Sequence, residues 1–75
     1  MRRYRATSGN AGVTGFAEGK HFIRIQFQDG SVYLYDHNVP GKEDVDEMKR
    51  LANLGKGLTT YINKNVRERY AARLK

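Results

Sequence analysis

One stretch, HFIRIQFQDGSVYLYD at residues 21–36, constrains the fold more than any other part of the chain. In its first half, Ile23 and Ile25 alternate with polar residues, which is typical of a strand with one buried face. Asp29 and Gly30 follow, and glycine tolerates the positive φ that a tight hairpin turn requires. Alternation resumes after the turn. The stretch therefore predicts a β-hairpin.

The length of the hairpin loop decides which face of the sheet carries Tyr33 and Tyr35. With a loop of two residues, both rings share the outer face with Arg24, an arrangement that single-stranded nucleic-acid sites use for stacking bases. With a loop of three residues and Gly30 in a left-handed conformation, both rings point into the core, and Leu34 faces outward. The propensities of the residues allow both loops.

Three further segments complete the prediction of an α+β fold. Residues 13–17 form a short strand, and residues 42–54 place their apolar side chains at helical spacing. Residues 58–74 continue a helical pattern, with a break near 63–65 because asparagine prefers caps and turns. We expect a small antiparallel sheet, formed by the hairpin and a short amino-terminal edge strand, packed against two or three carboxyl-terminal helices.

The domain organisation follows from length and composition. A chain of 75 residues makes one domain. Residues 1–9 are basic with little to bury, so we expect a flexible tail there and a single domain over 10–75. The absence of cysteine excludes disulfides and thiolate metal sites. No apolar run follows the basic amino terminus, and none is long enough to span a membrane, which favours a cytoplasmic protein.

The charge of the chain favours a polyanionic partner. Fourteen Lys and Arg residues oppose eight acids, which gives a net charge of +6, and the cations crowd toward the two ends of the sequence. Tyr61 or Tyr70 could add contacts to a base or a sugar. The side chains that we expect to contact nucleic acid are Arg24, Lys56, Lys64, Arg67, Arg69 and Arg73.

Little in the sequence favours catalysis, a metal or a cofactor. His21, Asp36 and His37 come together at the ends of the two hairpin strands, but no convincing nucleophile accompanies them. The stretch GKGLTT at residues 55–60 lacks the upstream glycine and the preceding strand of a nucleotide-binding loop. The acids in the first turn of the helix over 42–54 match the helix dipole. We therefore expect no enzyme.

The chain carries Tyr33-Leu34-Tyr35 on the second hairpin strand, then Val39-Pro40, and later Gly57, Tyr61, Asn63, Arg69 and Tyr70. In this order, these motifs resemble the KTSC domain, a bacterial module named for its place at the carboxyl terminus of some lysyl-tRNA synthetases. The hairpin with Tyr33-Leu34-Tyr35 matches the family's central Tyr-x-Tyr, and Val39-Pro40 follows it. The resemblance covers residues 12–72. Since the middle residue of Tyr-x-Tyr is often polar in the family, it favours inward-facing, structural tyrosines and the three-residue loop.

The resemblance implies no established activity, although RNA binding has been suggested for the family. Two functions therefore stay open. The first is a small basic module that binds RNA, tRNA included, through its Lys and Arg side chains. The second is a protein-interaction module without a nucleic-acid ligand, which uses a sheet edge or an apolar patch such as Val32 with Leu34.

Overall fold

The computed structural model of the chain describes residues 2–4, 12–66 and 68–75. The elements are β1 (Arg2–Arg3), β2 (Val13–Glu18), β3 (Phe22–Phe27), β4 (Val32–Asp36), α1 (Lys42–Leu54), α2 (Leu58–Tyr61), a π-helical turn (Ile62–Val66) and β5 (Ala72–Arg73). The strands form one antiparallel sheet in the order β1-β2-β3-β4-β5. The predicted α+β class is confirmed, as are the first helix and a strand over residues 13–17. This strand, β2, is not the predicted edge strand, because β1 pairs with its outer side.

The hairpin between β3 and β4 has the three-residue loop. Ile25 lies opposite Tyr33, and Ile23 lies opposite Tyr35. The N–H of Phe27 donates to the carbonyl of Ser31 at 2.9 Å, and the carbonyl of Phe27 accepts from the N–H of residue 30, also at 2.9 Å. Residue 30 is a glycine with a φ of 91°, which only glycine adopts easily. This register turns both tyrosines toward the helices.

The core lies between the sheet and the helices. Helix α1 buries the predicted apolar stripe, although Leu54 at its end remains 51% exposed. The left-handed Gly55 ends the helix, with its N–H bonded to the carbonyl of Leu51. Tyr35 is fully buried in this core, while Tyr33 is only partly buried. The tyrosine pair therefore divides between the centre of the core and its rim.

The prediction of a helix through residue 74 is wrong beyond Val66. The chain leaves the π-helical turn and runs back along β4, where Arg73 lies opposite Tyr33 and Ala72 opposite Leu34. The unpaired edge of β4 supplies backbone partners that a longer helix would leave unsatisfied. Leu74, which the helical spacing placed in the core, is 50% exposed.

The amino-terminal residues that the structure describes join the fold. Whereas the sequence predicted a flexible tail through residue 9, Arg2 pairs with Phe16 and Arg3 with Gly15. Tyr4 is 6% exposed and belongs to the core. The remainder of the predicted tail, residues 1 and 5–9, lies outside the described residues. In the described part of the chain, every helix is too short or too polar to cross a bilayer.

Candidate functional site

An open cleft of about 460 Å³ lies at one end of the molecule. The β3–β4 loop forms one side, and the π-helical turn and the segment leading to β5 form the other. Tyr35 and Ile62 contribute core side chains to its lining. Around them stand three partly buried rings, those of Phe27, Tyr33 and Tyr70. The cleft is thus an aromatic surface at the edge of the core.

The three rings contact one another in a chain. Phe27 and Tyr33 meet edge to face, with centroids 5.5 Å apart and planes at 69°. Tyr33 and Tyr70 are closer to parallel, with centroids 4.7 Å apart and planes at 33°. The guanidinium carbon of Arg73 lies 5.6 Å from the Tyr33 centroid, within the range of a cation–π contact. The Arg73 guanidinium therefore lies beside the three contacting rings.

Polar groups surround the cleft, but not all of them are free. The Asp29 carboxylate accepts hydrogen bonds from the N–H and the hydroxyl of Ser31, at 2.9 and 2.6 Å. These bonds hold the pKa of Asp29 below its usual value. The cleft is also lined by Gln28, Asn63 and Glu68, which are exposed. Amide and carboxylate groups are thus available to a ligand beside the rings.

The structure places the predicted nucleic-acid contacts in several positions. Arg73 lies against the ring of the cleft residue Tyr33, and the exposed Lys64 follows the cleft residue Asn63 in the π-helical turn. Arg69 stands further off, where it donates to the carbonyl of Pro40 at 3.3 Å. The predicted set is therefore brought together only in part.

The other predicted contacts do not join the cleft. Arg24 pairs across the strands with Leu34 and so projects from the opposite face of the sheet to Tyr33. Its guanidinium lies 5.4 Å from the ring centroid of Phe22. Lys56 is exposed in the turn between α1 and α2. Arg67 lies outside the described residues.

The cations of helix α1 are already engaged. Lys42 pairs with Asp46, and Arg50 with Glu47, each at 2.6 Å. Lys49 donates to the carbonyl of Gly19, also at 2.6 Å. By contrast, the cations of the carboxyl-terminal segment form no ion pair within the parts of the chain that the structure describes; these are Lys64, Arg69 and Arg73. Uncompensated positive charge therefore lies along the carboxyl-terminal segment, where Arg69 and Arg73 donate only to backbone carbonyls. Arg24 and Lys56, elsewhere on the molecule, also form no ion pair within the described residues.

Tyr61 and Tyr70, the two tyrosines considered for base contacts, differ in their availability. The Tyr61 hydroxyl donates a hydrogen bond to the Asp44 carboxylate. Burial and this neighbouring carboxylate raise the pKa of Tyr61 to about 12. Tyr61 therefore links α2 to α1, whereas Tyr70 presents part of its ring to the cleft. Tyr70 is the better candidate for contact with a ligand.

The histidine cluster has a structural explanation. The rings of His21 and His37 meet edge to face, with centroids 5.1 Å apart. The Asp36 carboxylate accepts hydrogen bonds from the N–H groups of Asn38 and Val39, both at 2.9 Å, and so shapes the turn. Within residues 2–4, 12–66 and 68–75, no three His, Asp or Glu side chains converge as metal ligands would.

No family model, curated protein or solved structure matches the chain. The resemblance to the KTSC domain therefore stays a prediction carried by the residues quoted for it. The sequence predicted ligand contacts at Arg73 and Tyr70. It did not indicate that Phe27, Asn63 and Glu68 are neighbours in one cleft. The signal for Phe27 was its alternation with Ile23 and Ile25, which places this ring on the helix face at the end of β3.

Proposed function

We propose that the protein binds single-stranded RNA along its carboxyl-terminal segment, beside the aromatic cleft. The observation that carries the proposal is the position of Arg73, a cation without an ion pair in the described residues that stands 5.6 Å from the Tyr33 centroid. Cations beside exposed rings are the arrangement that single-stranded nucleic-acid sites use. A cytoplasmic location, where such an RNA is available, belongs to the same proposal.

The energetics favour a salt-dependent interaction. The net charge of +6 attracts a polyanion, and each phosphate that a cation neutralises releases counterions. Lys64, Arg69 and Arg73 can reach phosphates without first breaking an ion pair within the described chain. For a single strand, the logarithm of the binding constant then falls with the logarithm of salt by about 0.7 per phosphate contact.

A binding titration at several salt concentrations tests the proposal. We expect a fluorescent oligonucleotide of mixed sequence, or mixed tRNA, to bind at low salt and to dissociate steeply as salt rises. Arg73→Gln should weaken binding several-fold and flatten the salt dependence by about one phosphate contact. Arg50→Gln removes the same charge from a side chain paired with Glu47, and so serves as the matched control.

Two results would contradict RNA binding through this segment, and a third would exclude its phosphate contacts. One is the absence of binding to any RNA at low salt. The other is an equal loss of affinity in Arg73→Gln and Arg50→Gln, which would mean that net charge alone governs the interaction. Affinity that is insensitive to salt would also exclude the phosphate contacts on which the proposal depends.

The second candidate function is protein interaction through the outer face of the sheet. In the part of the chain that the structure describes, the helices pack on the face that carries Tyr35, and none covers the other face. That outer face carries Val32, Leu34 and Ala72, all partly exposed. A defined protein partner whose binding survives nuclease treatment and is lost in Leu34→Asp would favour this function over RNA binding.

A further inference from the structure

We propose that the aromatic cleft takes up one unstacked base of the bound strand and prefers a base with an exocyclic amino group, with Glu68 as the acceptor. This inference rests on the proposed RNA binding, because it names the part of the RNA that the cleft recognises. The preferred bases are then adenine and cytosine, and uracil is disfavoured since it offers a carbonyl at the position where cytosine carries its amino group.

Three aromatic rings remain only partly buried at the open cleft, those of Phe27, Tyr33 and Tyr70. Tyr4, Phe16 and Tyr35 are at most 6% exposed and fill the core. Phe27 and Tyr70 pack against this core but leave part of their surfaces at the cleft. Because a domain of 75 residues gains stability chiefly from apolar burial, ring surface left uncovered points to a ligand.

The cleft has the size and the opening to solvent that one base requires. The cleft volume of about 460 Å³ falls within the range of about 300–1,000 Å³ that is usual for small-molecule sites. The cleft is open to solvent on the side where Asn63 and Glu68 stand, both of them exposed. A base can therefore enter from solvent while its phosphates stay outside, beside the cations Lys64 and Arg73.

Two carboxylates, those of Asp29 and Glu68, line the cleft. Both bonds that Ser31 donates go to one oxygen of Asp29, which holds this carboxylate against its own loop and leaves only its second oxygen for a ligand. The Glu68 carboxylate has no ion pair with the residues that the structure describes. A free carboxylate accepts a hydrogen bond from an amino group of a base and opposes a carbonyl. Glu68 thus supplies the preference among bases.

Rings and carboxylates together can also hold an organic cation such as a methylated ammonium group. Two observations favour the base. The guanidinium of Arg73 already lies on the Tyr33 ring and would repel a second cation at that position. The chain also carries a net charge of +6. The cation is therefore a competitor in the experiment below rather than the proposed ligand.

The test compares labelled oligomers of adenosine, cytidine and uridine at a matched series of salt concentrations that begins at low salt. We expect the adenosine and cytidine oligomers to bind more tightly than the uridine oligomer, and Glu68→Gln to reduce this difference. Tyr70→Leu keeps apolar volume but removes the ring, and should weaken the adenosine oligomer by about 5- to 100-fold without changing the salt slope. Phe27→Leu serves as a second variant, and circular dichroism establishes that each variant is folded.

A fluorescent base that reports stacking, 2-aminopurine, gives an independent measurement. Its emission at one position of the oligomer should fall on binding to the wild-type protein and fall much less on binding to Tyr70→Leu. Adenosine monophosphate alone should shift the amide resonances of Tyr33, Asn63 and Tyr70, whereas choline at the same concentration should not.

The outcomes separate the two proposals. RNA binding with a steep salt slope that is unchanged in Tyr70→Leu and Phe27→Leu, and equal for all three oligomers, overturns the base site but leaves RNA binding intact. Adenosine monophosphate that shifts the cleft resonances of a protein unable to bind RNA supports the base site and overturns the proposed function. Choline that displaces the nucleotide, or the absence of both RNA binding and resonance shifts, overturns the base site.

Discussion

The phenolic oxygen of Tyr4 accepts a hydrogen bond of 3.2 Å from the backbone N–H of Leu58. Leu58 is fully buried and is the first residue of α2, so its N–H has no partner within the helix. The hydroxyl thus satisfies a buried donor that would otherwise be left unpaired. Through it, the residue after β1 fixes the start of the helical segment that leads to the cleft.

Tyr4→Phe should therefore destabilise the protein, although it removes only one oxygen atom. We expect the free energy of unfolding to fall by about 1–2 kcal/mol, because the buried Leu58 N–H loses its acceptor. Urea denaturation followed by circular dichroism measures the change. Tyr70→Phe is the matched control, since the Tyr70 hydroxyl makes no hydrogen bond to the described residues. Equal stability of Tyr4→Phe and the wild type would contradict the role of this bond.

The two tyrosines of β4 should respond differently to truncation. Tyr35 is fully buried, so Tyr35→Ala should cost about 3–5 kcal/mol, which is most of the stability of a domain of this size. Tyr33 is only partly buried and should cost clearly less. Denaturant midpoints of the two variants measure the difference. Small and similar losses would indicate the two-residue loop, which places both rings outside the core.

The hairpin loop permits a test of backbone conformation alone. Gly30 has a φ of 91°, and a Cβ atom built on it meets nothing within 4 Å. Gly30→Ala should therefore destabilise the protein by about 1–2 kcal/mol through backbone strain rather than through a clash. Gly30→Asn should cost less, because asparagine tolerates a positive φ better. Thermal melting of the two variants measures both losses of stability. A larger loss for Gly30→Asn than for Gly30→Ala would refute this account of the loop.

The sequence predicted the elements whose patterns are local. Alternation identified β3 and β4, and helical spacing predicted the observed range Lys42–Leu54 for α1. The residues of the hairpin did not by themselves decide its register, because both loop lengths are chemically allowed. The resemblance to the KTSC domain favoured the three-residue loop, and the observed pairing of Ile25 with Tyr33 agrees.

The fold of the carboxyl-terminal segment was not predicted, because it depends on contacts with residues that are distant in the sequence. Tyr70 and Leu74 continue a helical spacing, but the spacing carries no information about the open edge of β4. The segment pairs with this edge, and Tyr70 packs on Tyr33 instead of on a helix neighbour. The cleft depends on the same non-local step, since it brings Tyr70 and Glu68 to the hairpin loop. Only the assembled sheet determines these contacts.

The bond between Tyr61 and Asp44 should make stability depend on alkaline pH. Burial and the Asp44 carboxylate raise the pKa of Tyr61 from 10.0 to about 12. Because the folded state holds the phenolic proton more tightly than the unfolded chain, the resulting stabilisation is complete below pH 10 and is lost as the pH rises toward 12. Burial also raises the pKa of Tyr35, which adds a loss of the same sign.

Tyr61→Phe should accordingly flatten the alkaline part of the stability curve. We expect this variant to be about 1 kcal/mol less stable than the wild type near neutral pH, since Asp44 loses its donor at a partly exposed site. The free energies of the two proteins should converge above pH 10, where the wild-type phenol begins to ionise in the unfolded chain. Urea titrations at several pH values measure both curves, with a residual slope in the variant from Tyr35. Parallel curves would show that the folded protein does not raise the pKa of Tyr61.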